Sequence, residues 1–185
     1  STPRLIELKD LMSHVGVSKI TNNTWGERWS KLVVNCMVNP MAGITGLSSA
    51  EVRRNPATRR ILIRIAAEAI RVGMNHGFEV ANINGIPATA YLEADENMGT
   101  AMENVETEMA LRSNERGEGL PSMLQDLMKG RKTEINYLNG YVVEKGSQIG
   151  MPTPINHTIV DILTSVEKGV INPSIDNLKR LKGFN

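Results

Sequence analysis

Lys31, Asn35 and Asn39 recur at four-residue intervals within the stretch from Trp29 to Asn39. On an α-helix each is turned only about 40° from the last, so the three fall within a sector of roughly 80°. The residues between them, Leu32, Val33, Val34, Cys36, Met37 and Val38, are apolar and cover the remaining directions, which marks a helix packed on most sides. The polar stripe is therefore expected to be enclosed. An enclosed ammonium beside two amides is costly unless protein partners or a ligand satisfy it, and groups of that kind tend to mark sites. The structural alternative is that Lys31 reaches solvent along its apolar stem while the asparagines satisfy neighbouring loop backbone. Pro40 weighs toward a site. It has no N–H, so the Cys36 carbonyl loses its helical donor and the helix must bend or stop there, a common way to shape a pocket floor. Two further candidates lie downstream. Ser122 opens a short apolar segment and Glu134 follows Thr133. Taken alone, they read as a helix cap and a first-turn carboxylate.

Other chemistries find little support. His14, His76 and His157 lie in separate segments without ligand spacing to one another or to carboxylates, so no metal site is expected. No GxSxG elbow, no cysteine beside a base and no GxGxxG or GxxxxGK[ST] loop occurs, and the GEG at 117–119 lacks the context of a phosphate loop. With 21 basic and 20 acidic residues the formal charge is +1, and no long run of either sign marks a nucleic-acid or anionic-membrane partner. The uncharged run from Leu32 to Ala50 contains asparagines, a proline and glycines, too polar for a membrane span. Cys36, the only cysteine, excludes an internal disulfide and suggests a reducing, cytoplasmic setting.

The elements that must position these residues are helical. Apolar residues at 5, 8, 11 and 12 give a short helix after Pro3, ended by Gly16, and residues 17–20 are the one plausible strand near this end. One strand cannot form a sheet alone, and the chain opens on STPRLIELKD without methionine. Residues 1–24 therefore read as a remnant or linker from a missing domain, and 25–185 as a helical domain. Asn22, Asn23 and Thr24 are cap candidates for the stripe helix, which runs to Pro40 or Gly43. Ser48 or Ser49 with Glu51 starts a short helix, and Pro56 begins a longer one to about Gly77, on which Arg59, Arg60, Arg64 and Arg71 read as a solvated face. After a loop at 82–87, helices are expected over 88–96 and 102–111, then an exposed loop at 113–121. Further helices follow at 122–128, from Thr133 to about Gly150, at 156–168 and, briefly, at 175–181. The domain is all-α, with enough apolar content (41 %) for one core.

Four ordered blocks carry a resemblance across most of the chain: WSKLVVNCMVNP at 29–40, SMLQD at 122–126, TEINYLNG at 133–140 and GMPTPIN at 150–156. Together they resemble the C-terminal domain of the ketopantoate reductase (2-dehydropantoate 2-reductase) family. The resemblance implies the helical C-terminal fold of the 6-phosphogluconate dehydrogenase superfamily, preceded in the whole enzyme by a Rossmann domain. It also implies NADP-dependent reduction of 2-dehydropantoate or a similar 2-keto acid to the 2-hydroxy acid, in pantothenate and coenzyme A biosynthesis. By the same resemblance Lys31 is the catalytic lysine that polarises and protonates the keto oxygen, and Asn35 and Asn39 are substrate-binding amides. Ser122 binds the substrate carboxylate. Glu134 stands near the reacting carbon and the cofactor ribose. Ser49 falls near another family contact, where the local sequence departs from the pattern. The expected partners are the keto acid, the Rossmann domain in cis and a second copy in a homodimer. The chain alone is expected to be inactive. Two alternatives share the fold: a related dehydrogenase with another substrate, and a helical dimerisation module without catalysis.

Overall fold

The computed structural model describes residues 2–113 and 119–184, so most of the loop expected at 113–121 lies outside the described residues. The chain forms nine α-helices among those residues: α1 Pro3–Ser13, α2 Thr24–Thr45, α3 Ser49–Arg54, α4 Pro56–Asn75, α5 Ala88–Glu96, α6 Thr100–Ser113, α7 Ser122–Met128, α8 Asn139–Gln148 and α9 Pro154–Glu167. Tighter 3₁₀ turns cover Ile135–Tyr137 and Ile175–Phe184. The all-α reading holds. The strand expected at 17–20 does not form, and the only strand-like pairing among the described residues is the Ile83–Ile86 bridge, closed by Asn84 and Gly85 at positive φ. Residues 17–20 have no edge to pair with, which a stretch of strand-forming residues cannot overcome alone.

Helices α2 and α4 are the axis of the core. Trp29, Val33, Cys36, Met37 and Met41 of α2 and Ile61, Ile65, Ala69 and Val72 of α4 are buried. Around this pair α5, α6, α7, α8 and α9 complete one apolar cluster. Side-chain caps fix the starts of α2, α3 and α4. Asn23 Oδ1 accepts from Gly26 N (3.1 Å) while its Nδ2 donates to Glu79 O (2.7 Å), tying the first turn of α2 to the segment after α4. Ser48 and Glu51 form a reciprocal capping box at α3, and Asn55 Oδ1 with Pro56 opens α4. Helix α2 does not end at Pro40 or Gly43. It runs to Thr45 and stops at Gly46, whose φ of 76° is the left-handed turn that terminates helices. Helix α1 buries no residue.

The arginines of α4 correct the reading of a solvated face. Arg64 Nε and Arg71 Nη1 donate to the two carboxylate oxygens of Asp95 at 2.9 and 2.6 Å, and Arg60 Nε reaches Glu106 at 3.2 Å. Periodicity along α4 says nothing of acids on α5 and α6, so the pairing was invisible locally. The crossing of α2 and α4 is equally specific. Trp29 Nε1 donates to Ala69 O (2.8 Å), and a side-chain carbon at Gly73 would overlap the indole. Helix propensity alone favours alanine over glycine by up to about 1 kcal/mol. The overlap reverses that, so Gly73→Ala is expected to destabilise the chain by a net of about 1 to 3 kcal/mol in urea denaturation. An unchanged or raised midpoint would show that the helices do not approach so closely.

Candidate functional site

The stripe is on α2 as expected, but it is not enclosed. Lys31 is exposed, and Asn35 and Asn39 are partly buried. The apolar residues flanking the stripe, Leu32, Val34 and Val38, are themselves only partly buried, so the helix is covered on fewer sides than its sequence suggested. Ser122 is the first residue of α7 and makes no capping bond, and Glu134 precedes the 3₁₀ turn; both are exposed. The helix that Ser122 opens meets the stripe helix. Helix α7 seats Met123 and Leu127 against Gly43 of α2, and the segment after Glu134 reaches the Cys36 carbonyl. The side chains themselves do not meet. Among the described residues no hydrogen bond or ion pair joins any two of Lys31, Asn35, Asn39, Ser122 and Glu134, including Lys31 with Glu134.

Polar residues on this scaffold divide into two sets. Asn23, Asn139, Asn156 and Asn177 all bond backbone groups, as do Trp29, Ser30 and Thr45. The side chains of Asn35 and Asn39 bond nothing among the described residues. That removes the alternative in which they satisfy loop backbone. What the five side chains offer is one cation, one carboxylate, two amides and a hydroxyl on adjacent elements, all with hydrogen-bonding capacity left over. The thiol of Cys36 offers nothing comparable, since burial pushes its ionisation well above the usual range.

Sequence reading missed the residues beneath the site. Pro40 leaves the Cys36 carbonyl without a helical donor, and the buried Asn139 supplies one, its Nδ2 lying 3.1 Å away. The same Nδ2 donates to Asn156 Oδ1 at 2.9 Å. Asn156 in turn donates from Nδ2 to Glu68 Oε2 (2.8 Å) and Ile65 O (3.3 Å). Glu68 accepts from the backbone N–H of Ile155 (2.9 Å) and Asn156 (3.0 Å), so a carboxylate of α4 caps α9. Burial pushes the Glu68 carboxyl up, and the donors of Asn156 and Ile155 pull it back. One signal was available: an acid at position 68 on the apolar face of α4 required a buried partner.

Two grooves of the described surface lie elsewhere. One of about 710 Å³ runs between α4 and α6, lined by Pro56, Arg60, Glu106 and Leu111 among others, and one of about 420 Å³ lies between α8 and α9. None of the five site residues lines either. Among the described residues no group of three or more His, Cys, Asp or Glu could hold a metal ion, and no helix is long and apolar enough to cross a membrane.

Residues 23–167 match the family model described as ketopantoate reductase PanE/ApbA C terminal. A 2-dehydropantoate 2-reductase of Archaeoglobus fulgidus is 29 % identical over 142 residues, which is 77 % of this chain and 40 % of that protein. The chain thus spans about two fifths of that relative's length. Among solved structures, D-mandelate dehydrogenase with NADH and anilino(oxo)acetate superposes with a TM-score of 0.69 at 23 % identity, covering 90 % of this chain and 62 % of that one. A PanE/ApbA family ketopantoate reductase from Ralstonia eutropha JMP134 gives 0.65 at 23 %, covering 91 % and 50 %. The helical fold is that of the C-terminal domain of PanE/ApbA ketopantoate reductases.

The buried carboxylate beneath the site has a measurable role. Glu68→Ala strands two backbone N–H groups and the Asn156 amide, so the chain is expected to lose about 2 to 4 kcal/mol in urea denaturation. A loss below about 0.5 kcal/mol would mean that α9 does not depend on this cap.

Proposed function

The chain belongs to the ketopantoate reductase PanE/ApbA family, and on that premise we propose that it is the substrate-binding and proton-donating part of an NADPH-dependent 2-dehydropantoate 2-reductase. Its substrate is 2-dehydropantoate or a similar 2-keto acid, reduced to the 2-hydroxy acid on the route to pantothenate in the cytoplasm. The observation that carries this reading is the division of polar groups. The buried and half-buried asparagines that hold the fold together, Asn23, Asn139, Asn156 and Asn177, bond backbone groups, whereas the side chains of Lys31, Asn35, Asn39, Ser122 and Glu134 bond no described residue. A packing module has no need of that set.

The roles follow from charge. Hydride addition to a ketone drives its π electrons onto oxygen, and a cation placed there is favoured more in the transition state than in the ground state. Lys31 holds its ammonium at the keto oxygen and gives up one proton as the alkoxide forms. Asn35 and Asn39 read hydroxyl and carbonyl groups without competing for charge, and Ser122 donates to the substrate carboxylate. The Glu134 carboxylate would accept a hydrogen bond from the cofactor ribose and would serve beside the reacting carbon. The nicotinamide, when bound, supplies the hydride. Its phosphates need a glycine-rich turn from strand to helix, which no described segment provides. They fall to a Rossmann domain in cis. Residues 1–24 are the linker from it and 25–185 the helical domain, in keeping with an α1 that exposes Leu5, Ile6, Leu8, Leu11 and Met12. These residues alone should not bind NADPH appreciably, and the same apolar surface favours a homodimer.

A second reading has an observation of its own. The superposition on D-mandelate dehydrogenase favours a related dehydrogenase acting on another 2-keto acid. Steady-state rates on 2-dehydropantoate and on the keto acid of mandelate, each with NADPH and NADH, separate the two.

The decisive variant is Lys31→Ala in the protein with its dinucleotide-binding domain. Loss of the general acid should lower kcat by about 10² to 10⁴. Lys31 is exposed and unpaired, so the thermal melt should not move. Asn35→Ala should chiefly raise KM for the keto acid, as expected of an amide that holds ground and transition states alike. Near-normal kcat in Lys31→Ala would remove Lys31 from the catalytic list.

A further inference from the structure

We infer that Asn139 is a positioning residue for the stripe, setting the path of α2 between Asn35 and Asn39 by supplying the hydrogen bond that Pro40 removes; its catalytic consequence rests on the reductase reading above, its geometric consequence does not. The turn that joins Asn35 to Asn39 is the turn whose carbonyl, that of Cys36, is left without a helical donor. A helix relieved of that bond would bend or fray at this point. It does not fray here: α2 continues for a further turn to Thr45. The donor that replaces the missing N–H is Asn139 Nδ2.

The orientation of that amide is dictated from outside the helix. Glu68, capping α9, presents acceptor oxygen to Asn156, and Ile65 presents a carbonyl. Both demand the NH₂ side of Asn156, so its oxygen must face Asn139. Asn139 then meets two acceptors, Asn156 Oδ1 and Cys36 O, and only its NH₂ side can satisfy both. A flipped amide would set oxygen against oxygen twice. Asn139 Oδ1 is left buried without a partner, the cost of aiming both protons where they are needed.

Two features make this a matter of position as well as stability. No side-chain bond restrains Asn35 or Asn39 among the described residues, so the helix path alone places them. Asn139 also follows Glu134 in the chain with a single 3₁₀ turn between, so the side chain that holds the stripe helix belongs to the segment carrying the carboxylate. One amide thereby fixes the two segments against each other.

The test is a cycle of Asn139→Ala and Pro40→Ala, since alanine at 40 restores a backbone N–H for Cys36. The first readout is the side-chain NH₂ resonances of Asn35 and Asn39 in the 185-residue chain, which needs no activity. The second is KM for 2-dehydropantoate against KM for NADPH in the protein with its dinucleotide-binding domain. Asn139→Ala should shift the Asn35 and Asn39 resonances and raise KM for the keto acid about tenfold to a hundredfold, leaving KM for NADPH unchanged. In the Pro40→Ala background both effects should largely vanish. Unmoved resonances in a folded Asn139→Ala chain, or equal effects with and without Pro40, would overturn the inference. If Asn139→Ala does not fold, the double variant must fold with the wild-type resonances of Asn35 and Asn39, and its failure is equally fatal. A wild-type protein that reduces no 2-keto acid would remove the reductase reading alone, with the resonances still deciding the role of Asn139.

Discussion

The bond from Asn139 to the Cys36 carbonyl is the constraint on which the rest of this structure depends. A proline inside a helix costs about 3 kcal/mol or more, and a buried carbonyl without a donor adds roughly 1 to 3. Helix α2 cannot evade the problem by ending early, because Met41, Ala42 and Ile44 beyond the proline belong to the core. An ordinary hydrogen bond contributes only about 1 kcal/mol net. The network from Asn139 through Asn156 to Glu68 therefore matters less for what it adds than for the penalty it prevents. It also crosses three helices, α2, α4 and α9, together with the start of α8. Orientation set at one end of such a network is transmitted to the other.

How far the sequence foretold this depends on the range of the forces involved. Caps and periods are local, and they located the starts of α3 and α4 and the existence of α5, α6, α7 and α9. The same local view carried a helix unbroken from Thr133 to Gly150. The chain instead takes a 3₁₀ turn at Ile135–Tyr137 and restarts at Asn139, because the backbone at Leu138 leaves helical values (φ −106°, ψ −96°). The pairing of Asp95 with two arginines was out of reach for the same reason, the partners being far apart in sequence. So was the exposure of Lys31. An apolar sequence around a stripe shows how much surface a helix could bury, not how much its neighbours cover.

The polar stripe was legible for a different reason. Four-residue spacing places Lys31, Asn35 and Asn39 on one sector whatever packs beneath them. Spacing alone could not separate a functional asparagine from a structural one. Bonding divides the buried and half-buried ones: Asn177 ties the Ile44 carbonyl at the end of α2 and Asn23 ties its beginning, while the side chains of the two stripe asparagines bond no described residue. One residue type thus ties backbone at some positions and keeps its side chain free of protein partners at others.

Trp25 and Trp29 lie one turn apart on α2, yet their surroundings are opposite. Trp29 is 5 % exposed, its indole bonded to Ala69 of α4, whereas Trp25 is 63 % exposed, beside Phe78 and under Arg28. These are the only two tryptophans in the chain. Their fluorescence should therefore separate by colour, a short-wavelength emitter in the core and a long-wavelength emitter in water. Soluble quenchers reach the second and not the first. Covering the outer face of α2 alters the long-wavelength light alone, whereas parting α2 from α4 reddens the other, so one emission spectrum distinguishes docking from unfolding without any added label.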